Sequence, residues 1–146
     1  MKIIAFVCTG NTCRSPMAEH ILREKLNSRG YQDYSVISMG TYAAVEEDIS
    51  QYAREALGAM GIDLGRHCST QATEELIKSC DLVIALTYRH LMQLNFPTNA
   101  TALDALTGCG DIIDPYGGTK EEYIYCAREL EKALDILVDK LPEILR

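Results

Sequence analysis

The chain has 146 residues, 47% of them hydrophobic and 24% charged, and carries a net charge of −7. This length and balance fit one globular domain with its own core, and the acidic surplus argues against a nucleic-acid or anionic-membrane surface. No stretch reaches the length of a membrane span, and the apolar N-terminal run is too short for a signal peptide and lacks a cleavage pattern. A cytoplasmic location is therefore expected, with the six cysteines as thiols. Cys8 and Cys13 do not form a CxxC pair, and His20, His67 and His90 stand alone, so neither a metal nor another cofactor is expected.

In chain order, residues 2–7 form an apolar run, as expected of a strand buried on both faces of a parallel sheet. Residues 16–29 place Met17, Ile21, Leu22 and Leu26 on one helical stripe that ends at Gly30. Tyr34 to Met39 reads as a second strand closed by Gly40, and Ser50 to Met60 as a second helix with Gly61 beyond it. Residues 70–79 predict a short helix, Asp81 to Leu86 a third strand, residues 88–95 a helix stopped by Pro97, and residues 101–106 a last, edge strand. Thr119-Lys120-Glu121-Glu122 fits a capping box, and Tyr123, Ala127, Leu130, Leu134, Val138 and Leu141 keep helical period up to Pro142, which should end or kink the helix. Strands alternate with helices and no linker or repeat intervenes. The expectation is a single α/β domain over 1–146, three layers deep, with a parallel sheet and helices on both faces.

Between the first strand and the first helix lies Cys8-Thr9-Gly10-Asn11-Thr12-Cys13-Arg14-Ser15-Pro16. The residues after Cys8 can wrap their backbone N–H groups around an anion, and the helix start adds its positive dipole end. Arg14 supplies a planar, permanently charged fork for two phosphate oxygens. These groups favour the thiolate of Cys8 as a nucleophile aimed at phosphorus. Gly10 permits tight backbone approach, Ser15 reads as N-cap and Pro16 as the first helical residue. Ser15 is also placed to bond the Cys8 sulfur, and Asn11, tolerant of left-handed backbone, to brace the loop. Cys13 shares the loop and either traps oxidised Cys8 as a disulfide or serves as small filler. Cys68, Cys80, Cys109 and Cys126 read as ordinary residues, mostly core.

Asp114-Pro115-Tyr116-Gly117-Gly118 lies in a glycine-rich loop before the capped helix. Thiolate attack on a phosphate ester or phosphoramidate needs the leaving atom protonated, and a loop carboxylic acid can supply that proton and later activate water. Pro115 holds Asp114 extended; Asp111 competes for the role but lacks the proline.

These two segments together resemble the low-molecular-weight protein tyrosine phosphatases, and the likeness runs nearly end to end. Ser38 to Thr41, Gly61-Ile62-Asp63-Leu64 before His67, and Asp81-Leu82-Val83-Ile84-Ala85 also fall at familiar places. The resemblance implies a four-stranded parallel sheet, no metal, a phosphocysteine on Cys8, Arg14 as transition-state clamp and Asp114 as general acid. It also implies phosphorylated protein substrates, and Asn11, Ser15, Ser38 and His67 as members of the hydrogen-bond network that supports the loop.

Typical members carry a bulky aliphatic residue at the position of Thr12, and often a second tyrosine where this chain has Gly117. Threonine there, with Gly-Gly after the aromatic, is similar to the bacterial protein arginine phosphatase branch. A smaller, hydroxylated residue leaves room for a planar guanidinium and offers it an acceptor, whereas a phenyl ring gains from apolar walls. Tyr116 can stack on either, so phosphoarginine is favoured and phosphotyrosine is the alternative. Arsenate reductases share the loop but need further redox cysteines after the third strand, and Thr87 to Asn95 contains none. A phosphocarrier subunit or a silent phosphate-binding module needs neither an arginine clamp nor a leaving-group acid.

Overall fold

The computed structural model describes residues 1–145; Arg146, last in the domain expected over 1–146, lies outside the described residues. Ten elements follow one another: β1 (Lys2–Cys8), α1 (Arg14–Ser28), β2 (Tyr34–Gly40), α2 (Gln51–Ala59), α3 (Glu74–Lys78), β3 (Leu82–Ala85), α4 (Tyr88–Gln93), β4 (Ala100–Ala102), α5 (Leu103–Thr107) and α6 (Lys120–Ile144). The strands form one four-stranded sheet in the order β2-β1-β3-β4, with every pairing parallel. β1 is central because alternate residues are apolar toward both layers. Ile4, Phe6 and Cys8 join the larger core with α1, α2, α5 and α6, while Ala5 and Val7 face α3. Chain direction around the sheet reverses at β1, so the loop after β1 opens at the switch point where α/β sheets hold their ligands.

Several boundaries differ from the sequence expectation. Residues 101–106 are not all strand: β4 stops at Ala102 and α5 begins at once. Leu103 and Leu106 stand at the i, i+3 spacing of a helix, Thr107 Oγ1 donates back to the Leu103 carbonyl at 3.0 Å, and Gly108 closes the turn in the left-handed region. The helix expected over 70–79 shrinks to Glu74–Lys78, capped by Thr73. The preceding residues instead run along the end of β2, where Gln71 bridges Gly40. Pro142 neither ends nor interrupts α6 before Ile144; lying within the last turn, it removes only one late ladder donor. Thr119 caps α6 as expected, its hydroxyl accepting from the Glu122 N–H at 3.3 Å.

Candidate active site

The loop from Thr9 to Cys13 is held from inside by Asn11. This residue is fully buried and adopts φ 58°, a left-handed backbone that asparagine tolerates better than most residues. Its Nδ2 donates to Ser15 Oγ at 2.7 Å and Ser38 Oγ at 2.9 Å, and its Oδ1 accepts the Thr70 N–H at 2.9 Å. His67 Nε2 meets the Asn11 carbonyl at 2.7 Å and so must donate there. Ser38, Ser15 and His67 thus all bond to Asn11. Glu19 completes the chain by accepting from Ser38 Oγ at 2.6 Å.

The Asn11 amide donates to both sides of this chain. Ser38 gives its proton to the Glu19 carboxylate, so its oxygen is free to accept from Asn11. Ser15 likewise accepts from Asn11, which leaves its own hydroxyl proton for the Cys8 sulfur, 2.9 Å away, and the Met39 carbonyl, 3.4 Å away. The Ser15 N–H reaches the same sulfur at 3.4 Å.

α1 therefore starts differently from the expectation of a Ser15 cap and Pro16 as first helical residue. The helix begins at Arg14, and Cys13 holds the capping position without a side-chain cap. Ser15 is committed to Asn11 and Cys8, and Pro16, still in the first turn, gives up a donor that has no helical partner in any case. Gly10 is also not the crowded glycine: a methyl group there would meet only Thr12 Oγ1, at 3.6 Å. Close approach is at Gly40, where a methyl group would stand 2.4 Å from the Thr9 carbonyl oxygen and 3.1 Å from the Asn11 nitrogen.

Above the loop is a cavity of about 390 Å³ whose walls include Cys8, Thr12, Arg14, Asp114 and Tyr116. Arg14 is 6% exposed; its Nη1 donates to the Ile112 carbonyl at 3.0 Å and its Nη2 lies 3.4 Å from Asp114 Oδ2. Asp114 is fixed by a local turn, its Oδ1 accepting the Tyr116 N–H at 3.0 Å. Gly118 N–H closes on the Pro115 carbonyl at 2.8 Å, with Gly117 between at φ 78°. A side chain at Gly117 would be strained by that conformation, though nothing stands within 4 Å of its place. Asp111, the competitor, faces away: its carboxylate accepts the Tyr88 N–H at 3.1 Å, at the start of α4. Cys13 lines the cavity too, and its sulfur lies 3.4 Å from Ser50 Oγ and 3.6 Å from Tyr123 Oη. Of the remaining cysteines, Cys80 and Cys126 are buried, Cys109 is half-buried and Cys68 exposed, so core filling holds for only two of the four. Burial pushes the Cys126 thiol up to about 12.

Residues 3–145 match the family model described as low molecular weight phosphotyrosine protein phosphatase. The chain belongs to this family. It is 39% identical to a protein-arginine-phosphatase of Bacillus subtilis (strain 168), covering 94% of this chain and 95% of that one. It is also 34% identical to the low molecular weight protein-tyrosine-phosphatase PtpB of Staphylococcus aureus, covering 99% of both. A solved structure of the YwlE arginine phosphatase, a mutant with a phosphorylated active-site serine, superposes with a TM-score of 0.90 at 36% identity, covering 97% of this chain and 96% of that one. With that membership the chain is a phosphatase.

The phosphatase site also contains residues that the sequence did not single out. Glu19 and His90 carry no local signal, since each reaches the loop only through the fold. Tyr42 and Glu47, from the acidic stretch after β2, line the cavity. Among the described residues no helix is long and apolar enough to cross a membrane, and no three His, Cys, Asp or Glu side chains gather as metal ligands.

Proposed function

We propose that this phosphatase hydrolyses phosphoarginine side chains of proteins through a phosphocysteine on Cys8. The observation that carries this reading is that Cys8, Arg14 and Asp114 share one cavity whose wall includes the Thr12 hydroxyl. The Cys8 thiolate attacks phosphorus while the Arg14 fork and the loop N–H groups hold the phosphoryl oxygens. The P–N bond breaks, and the leaving guanidine nitrogen takes the Asp114 proton. The Asp114 carboxylate then takes a proton from water as the water oxygen attacks the phosphocysteine, releasing inorganic phosphate and restoring the thiolate. Asn11, Ser15, Ser38 and His67 keep the loop in the shape that this sequence of steps needs, and Thr9, Gly10, Thr12 and Cys13 supply its backbone donors.

A guanidinium differs from a phenyl ring in charge and in N–H donors. Thr12 offers an acceptor, and the Glu47 carboxylate at the cavity wall favours a cationic group over a neutral ring. Tyr116 and Tyr42, 79% and 85% exposed, can flank either substrate, which leaves phosphotyrosine as the second reading. Cys13, on the same cavity as Cys8, is the proposed partner for reversible oxidation. The acidic net charge and free thiols suit a reducing cytoplasm, with no nucleic-acid or membrane partner.

Phosphate release from matched phosphoarginine and phosphotyrosine peptides tests the proposal. The phosphoarginine peptide should give the higher kcat/KM, and Thr12→Ile should shift the ratio toward phosphotyrosine. A wild-type preference for phosphotyrosine, or a ratio indifferent to Thr12→Ile, overturns the substrate assignment.

A further inference from the structure

His90 belongs to α4 rather than to the loop or the Asp114 turn, and the reaction steps above make no use of it. The side chain is buried at 3% exposure, yet both ring nitrogens are engaged. Nδ1 lies 2.9 Å from Thr87 Oγ1, the hydroxyl that also accepts the His90 N–H at 3.2 Å. Nε2 lies 3.0 Å from Thr9 Oγ1 and 3.5 Å from Arg14 Nη2.

These contacts determine the tautomer. A guanidinium only donates, so Nε2 facing Arg14 must present its lone pair. The ring proton is then on Nδ1, given to Thr87 Oγ1, and the Thr9 hydroxyl turns its own proton toward Nε2. Burial first, and the Arg14 charge second, keep the ring neutral, its pKa lowered to about 4; Arg89 acts in the same direction, and Asp114 and Asp111 oppose it.

The result is a neutral acceptor beside a buried cation. Arg14 Nη1 is tied to the Ile112 carbonyl, while Nη2 stands between His90 and Asp114. Without an acceptor at His90, Nη2 is left to pair with Asp114 alone, which engages clamp and acid with each other. We propose that His90 is a positioning residue for the phosphatase reaction: its unprotonated Nε2 anchors the Arg14 guanidinium and the Thr9 hydroxyl in the geometry that receives phosphate. This rests on the reading of Arg14 as the clamp.

The test uses inorganic phosphate as competitive inhibitor of the full-length enzyme, with hydrolysis of a small aryl phosphate as readout. Cys8→Ser and Arg14→Ala come first: loss of turnover in both upholds the underlying reading independently of His90. His90→Leu should then raise the phosphate inhibition constant about ten- to a hundredfold, the range for one hydrogen bond to a charged group. His90→Gln, whose amide oxygen can take the Nε2 place, should recover most of the loss. Ring nitrogen NMR of the wild type at pH 7 should show a neutral ring protonated at Nδ1. Equal phosphate inhibition in the Leu and Gln variants, or wild-type inhibition in both, overturns the proposal. So does a ring protonated at Nε2.

Discussion

Around Cys8 the decisive property is the direction in which protons point. Glu19 accepts from Ser38, the Asn11 amide donates to both Ser38 and Ser15, and the Ser15 hydroxyl proton is left for the Cys8 sulfur and the Met39 carbonyl. Cys8→Ser should abolish turnover while retaining phosphate binding, because the arginine fork and loop donors remain and a hydroxyl is a far weaker nucleophile; single-turnover assays and isothermal titration with phosphate check both halves. Asp114→Ala should slow hydrolysis by roughly a hundred- to ten-thousandfold, the span for loss of a positioned general acid. Asp111→Ala should not, since that carboxylate caps α4; steady-state kinetics of the two variants separate them. At this scale Cys8, Arg14 and Asp114, which line one cavity, could be singled out because their chemistry is local and their spacing specific. Glu19 and His90 were not: each is an ordinary helical residue by sequence, 11 and 82 positions from Cys8 respectively, and gains its place only when α1 and α4 pack beside the loop.

Between β1 and α1 the loop depends on a neighbour that is distant in sequence. β2 pairs with β1 along its whole length, Cys8 opposite Gly40, and the Thr41 N–H continues the ladder to the Cys8 carbonyl at 2.9 Å. The absence of a side chain at Gly40 lets the loop backbone lie directly against β2. Gly40→Ala should therefore destabilise the protein by about 1–3 kcal/mol, as overpacking against rigid backbone does, and should lower kcat/KM by displacing Thr9 and Asn11. Urea unfolding and kinetics on the same sample check this, with Gly10→Ala as a control of small structural effect. The apolar strands β1 and β3 and the capped α6 were readable because periodicity and caps are local. β4 and α5 were not separated, since Thr101 to Leu106 is too short a run for its period to decide and the choice falls to Leu103, fully buried in the main core.

Across the whole molecule α6 is the keel. Its buried stripe of Tyr123, Ala127, Leu130, Leu134, Val138 and Leu141 packs against α1, α2 and α5. Lys25 reaches Asp135 at 2.5 Å and Arg29 pairs with Asp139 at the rim, contacts that add little while exposed. Leu130→Ala should cost about 2–5 kcal/mol through lost burial and an unfilled cavity, with kcat of the folded fraction unchanged; denaturant midpoints and active-site-normalised kinetics check it. The sequence by itself determined the strand–loop–helix segment at Cys8 and singled out Cys8, Arg14 and Asp114, the proposed nucleophile, clamp and acid, because backbone conformation and residue chemistry there depend on near neighbours. Only the tertiary structure decided how protons are oriented toward Cys8, why Gly40 rather than Gly10 must be bare, and that His90 faces Arg14. Those properties belong to contacts between segments far apart in the chain, and no local pattern encodes which of two buried groups donates to the other.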